Sequence, residues 1–287
     1  MTSHPDPKRS EGERAAVRKA DSSAAARPRN DGGTAAPPQH DRFQYIVRLG
    51  DDRLVLGHRL SEWCGHAPIL EEDIALANIS LDLIGQANLL LTQAATLEGA
   101  GRDADALAYL RDSLDFRNAL LVELPKGDFA VTIARQFLFS VYAMLQSEAL
   151  KSSSDSQLAG IAAKMHKESR YHVRHSGDWM LKLGDGTDDS HERLQRAVND
   201  LWRYTGELFL SDDLEQRLVA EKFAVDSTSL ESRWRAAVDD VLARAGITVP
   251  QVTWMQRGGR SGQHTEHLGL MLAEMQVLQR QHPGATW

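Results

Sequence analysis

Four long segments fix what this chain can become. Residues 42–64, 68–98, 128–150 and 155–183 each carry apolar residues at three- and four-residue intervals. They are separated by short breaks rich in Gly, Pro and Ser, the pattern of long amphipathic helices joined by tight turns. The break "GHAP" joins the first two and "KSSSDS" the last two, so each pair closes as an antiparallel hairpin. Pro68 is expected to open the second helix, with Glu71, Glu72 and Asp73 suited to its first turn, and Gly99 to end it. Between the pairs, "DALAYLRDSLDFRNALLVEL" has the length of a crossover helix, closed by Pro125 and Gly127.

The remainder is also helical in pattern. A fifth helix is expected from Asp189 or Ser190, with Asp189 and Glu192 spaced as a capping box, followed by helices near 212–221 and 227–246. Residues 247–264 read as irregular. Thr265 then reads as the N-cap of a last helix to about 281, and Gly184 as the C-cap of the fourth. No strand pair stands out. The expected fold is all-α, a long-helix bundle with additional C-terminal helices.

The segment 1–41 is different in kind. It mixes Ala, Ser, Pro, Gly and charges with almost no large apolar residue, too little to offset chain entropy, and is expected to be a disordered extension to one domain over 42–287. Its Asp6, Glu11, Glu13 and Asp21 argue against an organellar presequence. A net charge of −7 argues against a basic surface for nucleic acid. No run approaches the roughly 18 consecutive apolar residues of a membrane span. The single cysteine, Cys64, permits no internal disulfide and fits a reducing, cytoplasmic setting.

A polar line crosses the second helix at Asn78, Asp82 and Gln86, one residue every four on an otherwise apolar segment. Asp82 lies as far beyond the "GHAP" turn as Asp52 lies before it, so Asp82 is expected to face Asp52, or Asp51, across the hairpin. That is the ferritin-like layout, in which two helices each supply one Glu and two others supply Glu-x-x-His to a di-iron centre. The chain departs from it. Three residues after Asp82 stands Gly85, and three after Glu168 stands Tyr171; His172 follows one residue later, rotated by about 100°. The matching stretch of the third helix offers only Arg135, and its carboxylate Glu148 lies beside the turn. Asp52, Asp82, Gly85, Arg135, Glu168, Tyr171 and His172 therefore read as a degenerate site with no metal, and Arg135 is expected to replace metal charge by pairing with Glu168 or Asp82.

Other stretches are read as structural. In "HTEHL", His264 and His267 flank Glu266 at a helix start and are expected to serve capping and surface contacts. "RGGRSG" at 257–262 could cradle a phosphate such as that of coenzyme A, but follows no strand and is expected to be a mobile loop. Cys64, beside Glu62 and His66, is expected to be a buried thiol, and Trp202, Tyr204 and Phe209 core or interface residues. No dinucleotide-binding fingerprint is present.

"LGDDRLVLGHRLSEWCGHAP", "IALANISLDLIGQA", "KESRYHVRHSGDWMLKLGDGT", "LWRYTGELF" and "GQHTEHLGLMLAEMQVLQR" together resemble the C-subunit family of the bacterial phenylacetyl-CoA ring-epoxidising monooxygenases, from about residue 43 to the end. The resemblance implies a ferritin-like structural subunit with no cofactor of its own. It also implies a homologous catalytic A subunit that carries di-iron and binds the acyl-CoA, with a small B subunit and a separate reductase in the same system. No catalytic residue carries over, because the matching positions do not hold one. The rival readings are an independent metal-binding oxygenase and a docking scaffold for the reductase or accessory subunit.

Overall fold

The computed structural model describes residues 37–285, and the element order is helical throughout that range. Two long hairpins form its body. Helices α1 (Pro37–Ser61) and α2 (Leu70–Glu98) make the first. Helices α5 (Phe129–Leu150) and α6 (Ser156–Gly184) make the second, with α3 (Ala104–Tyr109) and α4 (Leu120–Glu123) on the crossover. Helix α1 starts five residues before the expected 42, and Asp41 at its start pairs with Arg217 at 2.7 Å. The rest of the expected extension, residues 1–36, lies outside the described residues.

Glycines let the first hairpin close. A Cβ on Gly50 would sit 2.9 Å from Leu91, and one on Gly57 would sit 2.9 Å from Ile84, so α1 and α2 touch backbone to side chain along this seam. Ser80 donates its hydroxyl to the Gly57 carbonyl at 2.7 Å. Gly99, in the left-handed region at φ +66°, ends α2 as expected. At the other end Pro68 precedes the helix, which begins at Leu70 behind an extended Ile69.

Helix α5 is the core of the bundle, buried on nearly every side. Averaged over eighteen residues, α2 and α5 are both apolar enough to cross a membrane, a composition that α5 owes to its core position. Asp128 and Asp155 cap α5 and α6 by accepting from the N–H groups of Val131 and Leu158. Gly184 is the last residue of α6, and Asp185 follows as its cap.

The crossover is not one helix. It breaks into α3, a short turn at Ser113–Asp115, an extended run and α4. Buried carboxylates on α1 take the backbone N–H groups of Arg117 and Ala119, at 2.8 Å each, and those bonds replace a helical ladder. Helix α7 (Asp188–Trp202) uses Thr187 and Ser190 as its capping box in place of the expected Asp189 and Glu192. Helices α8 (Asp213–Ala220) and α9 (Glu231–Arg244) follow, and Trp234 of α9 donates to the Leu138 carbonyl in a cluster with Trp202, Phe209 and Tyr142. The last expected helix divides at Gln276 into α10 (Glu266–Met275) and α11 (Val277–Gln281), because the Gln276 side chain is held by the carbonyls of Ala108 and Arg111. Cys64 is exposed on the α1–α2 turn, not buried.

Candidate functional site

Helices α2 and α6 meet along an antiparallel seam of polar pairs. Gln86 donates to Glu168 at 2.9 Å, His172 Nε2 lies 3.0 Å from Asp82 Oδ2, and His175 Nε2 lies 2.8 Å from Glu72 Oε2. The structure thus brings Asp82, Glu168 and His172 to one seam. It does not bring Asp52 to them.

Asp52 and Asp51 point the other way, to the crossover and the C-terminal loop. Both are fully buried. Asp52 takes both terminal nitrogens of Arg260 at 2.8 Å, and Asp51 is bridged by Arg111. Equal distance from a turn sets equal height on a hairpin but leaves the helix face open, and that is why the expected pairing across α1 and α2 fails.

Arg135 does not neutralise an acid. Its side chain is fully buried and donates through Nη1 to the carbonyls of Leu124 and Pro125, at 2.5 and 2.8 Å, where the crossover enters α5. Its Nε and Nη2 have no partner. Burial, helped by the neighbouring Arg59 charge, pushes its pKa down to about 10. The expected partners have no need of it: the Asp82 side chain is 37% and that of Glu168 21% exposed, so water and their seam partners stabilise both.

Gly85 and Tyr171 are the remaining residues of the expected site. A Cβ on Gly85 would meet nothing within 4 Å. Tyr171 is 41% exposed and stacks on His175 with ring centroids 6.1 Å apart. Glu148 reaches out to Arg233 at 2.8 Å. Among the described residues no three His, Cys, Asp or Glu side chains converge on a point that could hold a metal. The residues present do not fit a di-iron centre: α5 supplies an arginine where a carboxylate is required, and the α1 carboxylates are consumed by arginines and backbone donors elsewhere.

A second constellation, which sequence spacing did not indicate, joins the crossover to the C-terminal loop. Glu123 and Glu207 are buried alongside Asp51 and Asp52. Glu123 accepts from Asn118 at 2.8 Å and from the Thr265 N–H at 2.6 Å, and lies 2.7 Å from His264 Nδ1. The other ring nitrogen of His264 lies 3.0 Å from the Phe116 carbonyl, so both nitrogens face acceptors, the environment of an imidazolium. Burial works against that charge, but the hydrogen bond and charge of Glu123 outweigh it and raise the His264 pKa. Glu207 accepts from the N–H groups of Leu120 and Gly258 at 2.8 Å. Acidic residues inside the apolar runs "LGDDRLVL" and "LLVELP" were the available signal.

This network corrects two expectations. "RGGRSG" is pinned, not mobile: Arg260 is clamped on Asp52, and Gly259 lies so near the crossover that a Cβ would sit 2.1 Å from the Asn118 carbonyl oxygen. Its N–H groups at Gly258 and Arg260 already serve Glu207, so they are not free to cradle a phosphate. His264 is a buried partner of Glu123, not a surface contact. Beside the loop is a cleft of about 460 Å³ lined in part by Tyr45, Tyr142, Glu215, Trp254 and Arg257. Its polar groups are largely engaged with one another: Glu215 with Ser227, and Tyr142 with Gln146. Burial raises the pKa of Glu215 and pushes that of Tyr142 up to about 12.

The fold is that of a ferritin-like helical protein, and the positions expected of a metal site hold hydrogen-bonded pairs, a glycine, a tyrosine and an arginine. Residues 30–287 match the family described as phenylacetic acid catabolic protein, and the chain belongs to that family. It is 52% identical over 243 residues to the C subunit of 1,2-phenylacetyl-CoA epoxidase from Escherichia coli (strain K12), covering 85% of this chain and 98% of that relative.

Proposed function

We propose that this chain is the C-type subunit of a multicomponent phenylacetyl-CoA epoxidase in aerobic phenylacetate breakdown, and that its part there is structural. The likeness to a relative of that name over nearly its whole length supports the first half. The second half rests on one observation above others: Arg135 occupies the core of the helix that would have to supply a carboxylate, and it is spent on backbone carbonyls.

In this reading oxygen activation belongs to a homologous subunit that carries the di-iron centre and binds the acyl-CoA, with electrons from a separate reductase. The present chain gives that subunit a rigid neighbour. A bundle whose crossover and C-terminal loop are fixed by four buried carboxylates is a stiff platform, and ligands are held to sub-ångström geometry only by rigid supports.

The test is reconstitution. The ligand-bearing subunit expressed alone should lose iron, thermal stability and turnover relative to its co-expressed complex with this chain. Full iron content and turnover without this chain would overturn the structural role.

A further inference from the structure

Helix α2 is too apolar for its burial. Its mean hydropathy over eighteen residues is 1.5, yet only 44% of that window is buried within the chain. The excess lies on one side. Leu70, Ile74 and Leu81 are 71, 54 and 65% exposed, and Leu89 is 36% exposed.

The exposed residues have an order. Ile74, Asn78, Leu81, Asn88 and Thr92, with the half-buried Gly85 between Leu81 and Asn88, follow at alternating intervals of four and three, the straight seam along which one helix packs on another. Gly85 sits in its middle with open space where a Cβ would be, which lets a second backbone approach closely. Asn78 and Asn88 are both exposed and add polar groups of the kind that fix register on an apolar seam.

Helix α6 supplies the flank. It runs antiparallel beside α2, tied to it by the Glu168, His172 and His175 contacts, and exposes Lys164, Lys167, Arg170 and Arg174 within three turns. On a chain of net charge −7 this is a local reversal of sign. Tyr171 is exposed on the same stretch of α6, with the Arg174 guanidinium over its ring at 5.5 Å.

We propose that the exposed face of α2, with the cationic edge of α6, is the surface on which this chain binds the ligand-bearing subunit of its assembly, through a helix that is apolar towards α2 and acidic towards α6. The inference rests on the multisubunit reading above and adds the surface and the chemistry of the partner. A second copy packed antiparallel on α2 about a twofold fits poorly, because that arrangement would set the two cationic edges against each other. A different subunit escapes that repulsion and gains from it, because opposite charge at the rim accelerates encounter.

The experiment uses the full chain co-expressed with the ligand-bearing subunit. Gly85→Leu is the key variant, because leucine has a higher helix propensity than glycine and its Cβ would meet nothing within 4 Å in the free chain. It should keep or raise the melting temperature of the isolated chain while weakening capture of the subunit by about tenfold or more. Leu81→Glu should weaken capture further, and the triple change Lys167→Glu, Arg170→Glu, Arg174→Glu should slow association and flatten its salt dependence. If the unaltered chain captures the subunit and Gly85→Leu does so equally well, the face is wrongly assigned. If the unaltered chain captures nothing, the multisubunit reading itself fails. A homodimer of the unaltered chain that Gly85→Leu dissociates would assign the face to a second copy and overturn the proposal.

Discussion

Removing the Arg260 guanidinium isolates a charge that has nowhere to go. Asp52 is fully buried and holds Arg260 through two bonds of 2.8 Å, with the Ala119 N–H at 2.8 Å as its other donor. Arg260→Ala leaves that carboxylate with one partner, and also frees the Arg117 carbonyl that Arg260 serves at 2.9 Å. Breaking a buried pair from one side costs about 3–5 kcal/mol, far above the roughly 0–1 kcal/mol of a surface pair. At about 2–4 °C per kcal/mol for a domain of this size, the melting temperature should fall by about 6–20 °C. Arg260→Lys should recover only part of the loss, since one ammonium cannot reproduce a two-pronged contact. Asp52→Asn combined with Arg260→Ala should cost less than the sum of the single changes. Thermal and urea unfolding followed by circular dichroism measure all of these. A melting temperature for Arg260→Ala within about 2 °C of the parent, or strict additivity in the double variant, would refute the clamp.

Three further outcomes follow from the same geometry. Arg135→Met should destabilise by about 1–3 kcal/mol, because the Leu124 and Pro125 carbonyls lose their donor. Combined with Glu168→Gln the costs should simply add within about 0.5 kcal/mol, and a larger coupling in unfolding free energy would mean that the two residues are paired after all. His264 has a folded pKa above its ordinary value of about 6.5, so its contribution is fully present below that pH and is lost as pH rises through the raised folded value. The stability–pH curve should show this decline in the parent and not in His264→Gln, with the titration itself read by NMR. Gly259→Ala would drive a Cβ to 2.1 Å from the Asn118 carbonyl oxygen, so the loop must shift; a loss of at least about 1 kcal/mol in unfolding free energy is expected, and no loss would show that the loop is not pinned there.

The long helices were legible because each follows a sustained 3.6-residue period and ends at a Gly, Pro or Ser break, as at Gly99 and "KSSSDS". The crossover was not, because its sequence has helical character and its breaking depends on Asp51 and Asp52, which lie more than sixty residues away. Loop 257–262 misleads for a related reason. Glycine there looks like freedom in the sequence, whereas Gly259 is required by contact with the crossover. At the candidate site, spacing paired Asp82 with Asp52 or Arg135, whereas the structure sets His172 against Asp82 and Gln86 against Glu168 and turns Arg135 and Asp52 elsewhere. Rotation about the helix axis is decided by packing, and one residue of phase is about 100°.

In the proposed role this bundle holds no iron of its own. Elemental analysis of the purified chain, alone and in complex with the ligand-bearing subunit, addresses it most directly. Iron should be near zero in the isolated chain, and present in the complex and unaffected by Asp82→Ala, Glu168→Ala or His172→Ala in this chain. About two irons per isolated chain, lost on those substitutions, would contradict it.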